Sequence, residues 1–205
     1  MRFLEFRTSF FDGVCFSTNQ AKGVFPGFQS NNLSRWTEKG LLVKLRNGYY
    51  TFHEYLNEPG AQYYTANRIY KPSYVSLHSA LAFYGIIPEA VVQITSVTAL
   101  KTEYFKNNFG EFSYKSVSPN LMFGYEKKKF GRRMTYLFAT PEKALLDLLY
   151  LYPFYDNADE MRELRLDEDV MHDIIAKERL ELYSRQFGKK ALDRRVKIFR
   201  KVYGI

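Results

Sequence analysis

Along residues 30–52 the apolar and polar positions change period once, from helical to strand-like. In Ser30 to Phe52, SNNLSRWTEKGLLVKLRNGYYTF, Leu33, Trp36 and Thr37 share one helical face. Asn31, Arg35 and Glu38 fall opposite, flanked by Ser34 and Lys39. Gly40 stops that helix, Leu41 follows the turn, and LLVKLRNGYYTF reads as a two-stranded ribbon closed at Arg46-Asn47-Gly48. Upstream, Arg2 to Phe11 carries apolar residues at positions 3, 4, 6, 10 and 11, enough for a short core helix. Ser17-Thr18-Asn19 offers N-cap chemistry for a second helix through Lys22 or Val24, and Phe25-Pro26-Gly27 breaks the chain before the third. Three helices followed by a basic hairpin is the order of a winged helix-turn-helix.

The pattern shifts again beyond His53. HEYLNEPG is a polar linker with a Pro-Gly break, which sets a domain boundary there: residues 1–56 and residues 57–205. Ala61 to Tyr70 is helical in pattern. Val75 to Tyr84 follows with Leu77, Ala80, Leu81 and Tyr84 at i, i+3, i+4 and i+7, stopped by Gly85. From Val91 to Ala139 the period is strand-like. VVQITSVTAL, Glu111 to Val117, Leu121 to Tyr125 and Met134 to Phe138 are the expected strands of an antiparallel-type sheet. A basic loop, Lys127-Lys128-Lys129-Phe130-Gly131-Arg132-Arg133, precedes the last of them. Thr140-Pro141-Glu142 opens a helix that Pro153 ends, with Asp147 among its leucines, either exposed or paired with Lys143. Residues 158–203 make two or three more helices. The fold class expected is α+β: a winged helix-turn-helix, then a mixed α/β domain ending in a helical segment.

Charge sharpens the functional question. The 205 residues carry a net +8, with a pI near 9.4. Such a balance draws a chain to nucleic acid or anionic surfaces. Net charge is +3 over residues 1–56, +4 over 57–150, −6 over 151–176 and +7 over 177–205. The acidic and basic terminal stretches can neutralise each other in one helical bundle. Alternatively, Lys189, Lys190, Arg194, Arg195, Lys197, Arg200 and Lys201 form a surface for phosphates or an acidic partner. One cysteine, Cys15, excludes an intrachain disulfide and fits a reducing compartment. Arg2, Glu5 and Arg7 interrupt any signal-peptide core, and no apolar run is long enough to span a bilayer. A cytoplasmic chain without a membrane partner is the expectation.

A helix that buries one side and presents Asn, Arg and Ser on the other suits a major groove, where Arg can read guanine and Asn adenine. The candidate DNA-reading residues are Asn31, Asn32, Ser34, Arg35 and Lys39, with Lys44, Arg46 and Asn47 on the hairpin. Thr18, Lys22, Lys127, Lys128, Lys129, Arg132 and Arg133 are candidate phosphate contacts. The same fold also serves protein-interaction modules, and 17 Tyr and 18 Phe supply aromatic surface for one. A DNA-acting nuclease is the enzymatic rival, since Glu126-Lys127-Lys128 contains an E-x-K. No Asp occurs between Asp12 and Asp147, however, so the strand region lacks half of a Mg²⁺ site. Phosphate-loop and nucleophile-elbow motifs are absent, and His53, His78, His172 and Cys15 match no zinc spacing. No catalytic residue, metal or cofactor is expected.

Three segments also resemble the AbiEi antitoxin family, transcriptional regulators of type IV toxin–antitoxin and phage-abortive systems. They are LSRWTEKGLLVKLRNGYYTF (33–52), YKPSYVSLHSALAFYGIIPE (70–89) and ATPEKALLDLLYLYP (139–153). The likeness spans nearly the whole chain and is loosest over residues 1–29 and after Pro153. It implies a two-part protein. The N-terminal winged helix would bind inverted repeats in its own promoter and repress the operon. The C-terminal domain would counteract a nucleotidyltransferase-like toxin without needing a stable complex.

Overall fold

The computed structural model describes residues 1–131 and 133–205; Arg132, one of the candidate phosphate contacts, lies outside the described residues. The chain is α+β, with a helix-rich N-terminal unit, a six-stranded sheet and C-terminal helices. The N-terminal unit runs α1 (Phe3–Phe10), β1 (Cys15–Ser17), α2 (Thr18–Val24), α3 (Asn31–Glu38), β2 (Leu42–Arg46) and β3 (Tyr49–Phe52). Its strands form an antiparallel sheet in the order β1-β3-β2. Ser17 starts α2 through a capping box: its hydroxyl accepts from Gln20 N, and Gln20 Oε1 accepts from Ser17 N at 2.8 Å. Gly40, at φ +70°, ends α3 in a left-handed turn that turns Leu41 N back to Trp36 O at 2.9 Å.

Strand alternation gives this small sheet two different faces. Phe16, Leu42 and Phe52 point to one side, where they meet Phe6 and Phe10 of α1, Ala21 of α2, Phe28, and Leu33 and Trp36 of α3. Cys15 and Leu45, with Val14 just before β1, point to the other side and join the large core of the remaining chain. Two hydrophobic clusters therefore meet across the expected boundary near residue 56, and the small sheet contributes to both. Further ties cross it. Asn107 Nδ2 donates to Leu45 O at 3.1 Å, and Arg46 Nη1 donates to Ile69 O at 2.7 Å.

The second unit begins with α4 (Ala61–Ile69), β4 (Ser73–Val75) and α5 (Leu77–Phe83). Then follow β5 (Ile94–Thr98), β6 (Glu103–Asn107), β7 (Gly110–Ser116), β8 (Tyr125–Phe130) and β9 (Met134–Ala139). The sheet order is β6-β7-β5-β4-β9-β8. It is mixed rather than antiparallel, because β5 pairs with β7 and β4 with β9 in parallel. Three expectations change here. Residues 73–75 are a strand wedged between β5 and β9, and the helix starts only at Leu77. The strand expected over Leu121 to Tyr125 does not form there: Leu121 closes a short 3-10 turn that begins at Pro119, and β8 starts only at Tyr125. The lysine run 127–129 lies within β8, at the sheet's edge, and among the described residues of the expected loop only Gly131 and Arg133 are in a turn. An edge strand needs no apolar alternation, and lysines there discourage pairing with another chain.

Next, α6 (Pro141–Leu151) starts as expected, with Thr140 as N-cap and Pro141 at the first helical position. Four helices follow: α7 (Ala158–Arg162), α8 (Glu168–Ile174), α9 (Lys177–Phe187) and α10 (Lys190–Tyr203). The α10 helix buries Leu192, Val196, Phe199 and Tyr203. Its cations are partly consumed internally. Arg194 pairs with Asp156, Arg200 with Glu181 at 2.8 Å, and the buried Arg195 donates to Pro153 O. Of the terminal cations, Arg194 is thus paired with the acidic stretch and Arg200 within the basic one, while Lys189, Lys190, Lys197 and Lys201 are exposed. Among the described residues, no helix is long and apolar enough to cross a membrane.

Candidate nucleic-acid interface

The α3 helix sits on the aromatic core through Leu33 and Trp36, with Trp36 edge-on to Phe3 at 5.3 Å between ring centroids. Rigid seating of this kind fixes which side chains face outward. Asn31, Ser34, Arg35, Glu38 and Lys39 are exposed. Lys44 shares the face of Leu42 on β2, the face that carries α3, and is exposed there. Asn47, at the hairpin turn, and Lys22, on α2, are exposed as well. One element therefore offers a polar face bearing an arginine, an asparagine and a serine, with a lysine-bearing hairpin beside it.

Four candidates are placed differently from expectation. Asn32 is only 7% exposed, and its Oδ1 accepts a hydrogen bond from Arg35 Nη2. It braces the arginine from below instead of reaching a base. Arg46 is half-buried and turned away from the hairpin tip. Besides donating to Ile69 O, its guanidinium lies over the rings of Phe105 at 4.9 Å, Tyr49 at 5.3 Å and Tyr70 at 5.7 Å. It tethers the hairpin to the second unit. Thr18 is half-buried and committed to the hairpin turn, with its backbone N–H donating to Gly48 O at 2.8 Å. Lys128 pairs with Glu126 at 2.6 Å and lies over Phe83 and Tyr84, on the opposite face of β8 from Lys127 and Lys129.

Lys127 and Lys129 are exposed, but Arg133 lines a cleft of about 680 Å³ together with Asp12, Glu54 and Glu58. Those carboxylates repel a phosphate, so this corner does not extend the basic face.

A buried polar cluster in the second unit was only half visible in the sequence. Lys143 and Asp147, one turn apart on α6, are both fully buried and ion-paired. Tyr74 and Ser76 donate their hydroxyls to Asp147 Oδ2 at 2.9 and 2.7 Å. The Lys143 ammonium is also ringed by Phe187, Phe123 and Tyr74, at 4.3, 4.7 and 5.5 Å from their centroids. Desolvation outweighs attraction here: it pushes the Asp147 carboxyl up and the Lys143 ammonium down. Sequence spacing can pair Lys143 with Asp147, but the hydroxyl donors come from β4 and the turn after it, about seventy residues away. Among the described residues, no group of three or more His, Cys, Asp or Glu side chains could hold a metal ion.

Cys15 is buried, and burial pushes its thiol up to about 12 despite the nearby Arg68 and Lys71 cations. The thiolate is the reactive form, so the native chain should resist iodoacetamide at about pH 8 and become labelled only in denaturant. Mass spectrometry of the two reactions checks this; rapid native labelling would show the site to be open.

No family model and no curated protein matches the chain.

Proposed function

We propose that the N-terminal unit is a winged helix-turn-helix that binds duplex DNA, and that the chain is a DNA-binding antitoxin that represses its own operon. The observation that carries the DNA reading is the single exposed face of α3, where Asn31, Ser34 and Arg35 face outward while Leu33 and Trp36 anchor the helix from behind. The element order α1-β1-α2-α3-β2-β3, with a hairpin closing at Asn47-Gly48, supports the winged reading. In this reading α3 enters the major groove, Arg35 reads a guanine, and Lys22, Lys39 and Lys44 position the duplex through phosphates. Arg35 has five N–H donors, so the one given to Asn32 leaves enough for a bidentate base contact. The antitoxin reading rests on the resemblance of residues 33–52, 70–89 and 139–153 to AbiEi regulators. It assigns residues 57–205 to counteracting a nucleotidyltransferase-like toxin.

Quantitative mobility shift on the upstream promoter tests the DNA reading. Arg35→Ala should cost about 1–3 kcal/mol of specific binding and relax choice at one base position. Asn32→Ala should cost less and keep the base preference, because it frees the guanidinium without removing it. Lys44→Ala should weaken all sequences alike and lower the salt slope by about one unit. Full operator affinity in Arg35→Ala would contradict the assigned face. Co-expression of the chain with the product of the adjacent gene tests the antitoxin reading: growth should be restored, and continued arrest despite a folded chain would reject it.

A protein-interaction module is the second reading, favoured by one observation: α3 carries Glu38 on its exposed face, and a carboxylate there opposes a phosphate backbone. A promoter duplex that never shifts at low salt would select this reading.

A further inference from the structure

A cavity of about 180 Å³ lies between the two units, on the side of the small sheet away from α3. Cys15, Ser17 and Tyr49 line it from the sheet, Gln20 from α2, and Arg68 and Lys71 from the end of α4 and the residues after it. The geometry follows from strand alternation. Cys15 and Ser17 point the same way along β1, and Ser17 pairs directly with Tyr49 of β3. The Arg68 side of α4 closes the space from opposite.

The polar inventory of this cavity is one-sided. Arg68 and Lys71 bring two positive charges close enough to interact, and neither is in an ion pair among the described residues. Gln20 already uses its Oε1 on Ser17 N, so its amide N–H₂ remains to donate. The Ser17 oxygen already accepts from Gln20 N, which leaves its hydroxyl hydrogen to donate. Tyr49 adds a phenolic O–H. Five side chains present donors, and no carboxylate lines the space to receive them. Two like charges brought together at a half-covered site are unfavourable without a counter-charge. The Lys71 ammonium is accordingly pushed down by desolvation and by Arg68. The volume corresponds to roughly six waters, room for one tetrahedral oxyanion and part of its hydration.

We propose that this cavity is a phosphate-binding site, with Arg68 and Lys71 supplying the charge and Ser17, Gln20 and Tyr49 supplying directed hydrogen bonds. The site stands apart from the DNA reading, since it lies on the other face of the sheet from α3. Two sources share this chemistry. One is a backbone phosphodiester of a bound duplex. The other is inorganic phosphate or a soluble phosphate monoester. In the second case the ligand bridges the two units and couples their relative stability.

Titration of the full-length chain with inorganic phosphate, against chloride at matched ionic strength, tests the proposal by phosphorus NMR and by thermal shift. The wild-type chain should bind and melt higher. Lys71→Gln, at an exposed position, should fold normally and bind at least about tenfold more weakly. Arg68→Gln should do the same, while Lys201→Gln on α10 should change nothing. A second arm measures duplex binding by the same variants. A reduced salt slope in Lys71→Gln, with phosphate competing, identifies the source as a phosphodiester. Unchanged duplex binding alongside lost phosphate binding identifies a soluble phosphate. Either outcome upholds the site, and if the chain binds no DNA at all the phosphate arm still decides. Absence of phosphate binding by the wild-type chain at tens of millimolar, with duplex affinity unaffected in both cavity variants, would overturn it.

Discussion

Asp147→Ala should lower the unfolding free energy by about 3–5 kcal/mol, the cost of leaving a buried charge without its partner. The substitution strips Lys143 of its carboxylate partner and leaves the hydroxyls of Tyr74 and Ser76 without their acceptor. Lys143→Met should cost less. Its methylenes and sulfur still fill the cage of Tyr74, Phe123 and Phe187, and thioether–aromatic contact is itself favourable. Joining Lys143→Met to Asp147→Asn should recover much of the loss. Neither residue then carries charge, and the asparagine oxygen still accepts from Tyr74 and Ser76. The directions of the two pKa shifts point the same way, because both partners disfavour ionisation relative to water. Urea titrations of the three variants measure this. Equal, additive losses would mean that the ion pair is not the organising contact.

Phe6→Ala should destabilise the N-terminal unit by about 3–5 kcal/mol, as large-to-small changes of buried aromatics do. Phe6 is fully buried, and its ring lies within 4.8–5.4 Å of the centroids of Phe10, Trp36, Phe16 and Phe28. Those rings come from α1, α3, β1 and the loop between α2 and α3, so the cavity opens where the elements converge. The large core of the second unit does not include Phe6. Methyl NMR should therefore show broadening around Leu33 and Leu42 while Leu145, Leu148 and Leu149 stay sharp. Uniform loss of signal throughout would show that the two cores unfold as one, through Val14, Cys15 and Leu45.

Local signals were the legible ones. The capping residues Ser17 and Gln20, the Gly40 stop, the Asn47-Gly48 turn and the apolar face of Leu33 and Trp36 all act within a few residues of themselves. They located α2, α3 and the hairpin closely. Non-local placements were not legible. Arg46 reads as a hairpin-tip cation until Ile69, Tyr70 and Phe105 come alongside it. Asn32 sits where the helical wheel allows either side, and its bond to Arg35 decides inward. Val75 belongs to a three-residue strand that no periodicity can resolve, since β5 and β9 on either side hold it extended. The cavity donors Arg68 and Lys71 lie about twenty residues beyond Tyr49, and only the docking of α4 on the small sheet unites them.

The most direct measurement is selection of duplexes from a random library by the purified chain, followed by anisotropy titration of the recovered sequence over a range of salt. The expected result is an enriched motif. Its affinity should fall steeply with salt, and Arg35→Ala should lose preference at one base pair of it. Recovery of no motif, with the folded chain bound weakly and alike to every duplex even at low salt, would contradict the assignment of α3 to the major groove.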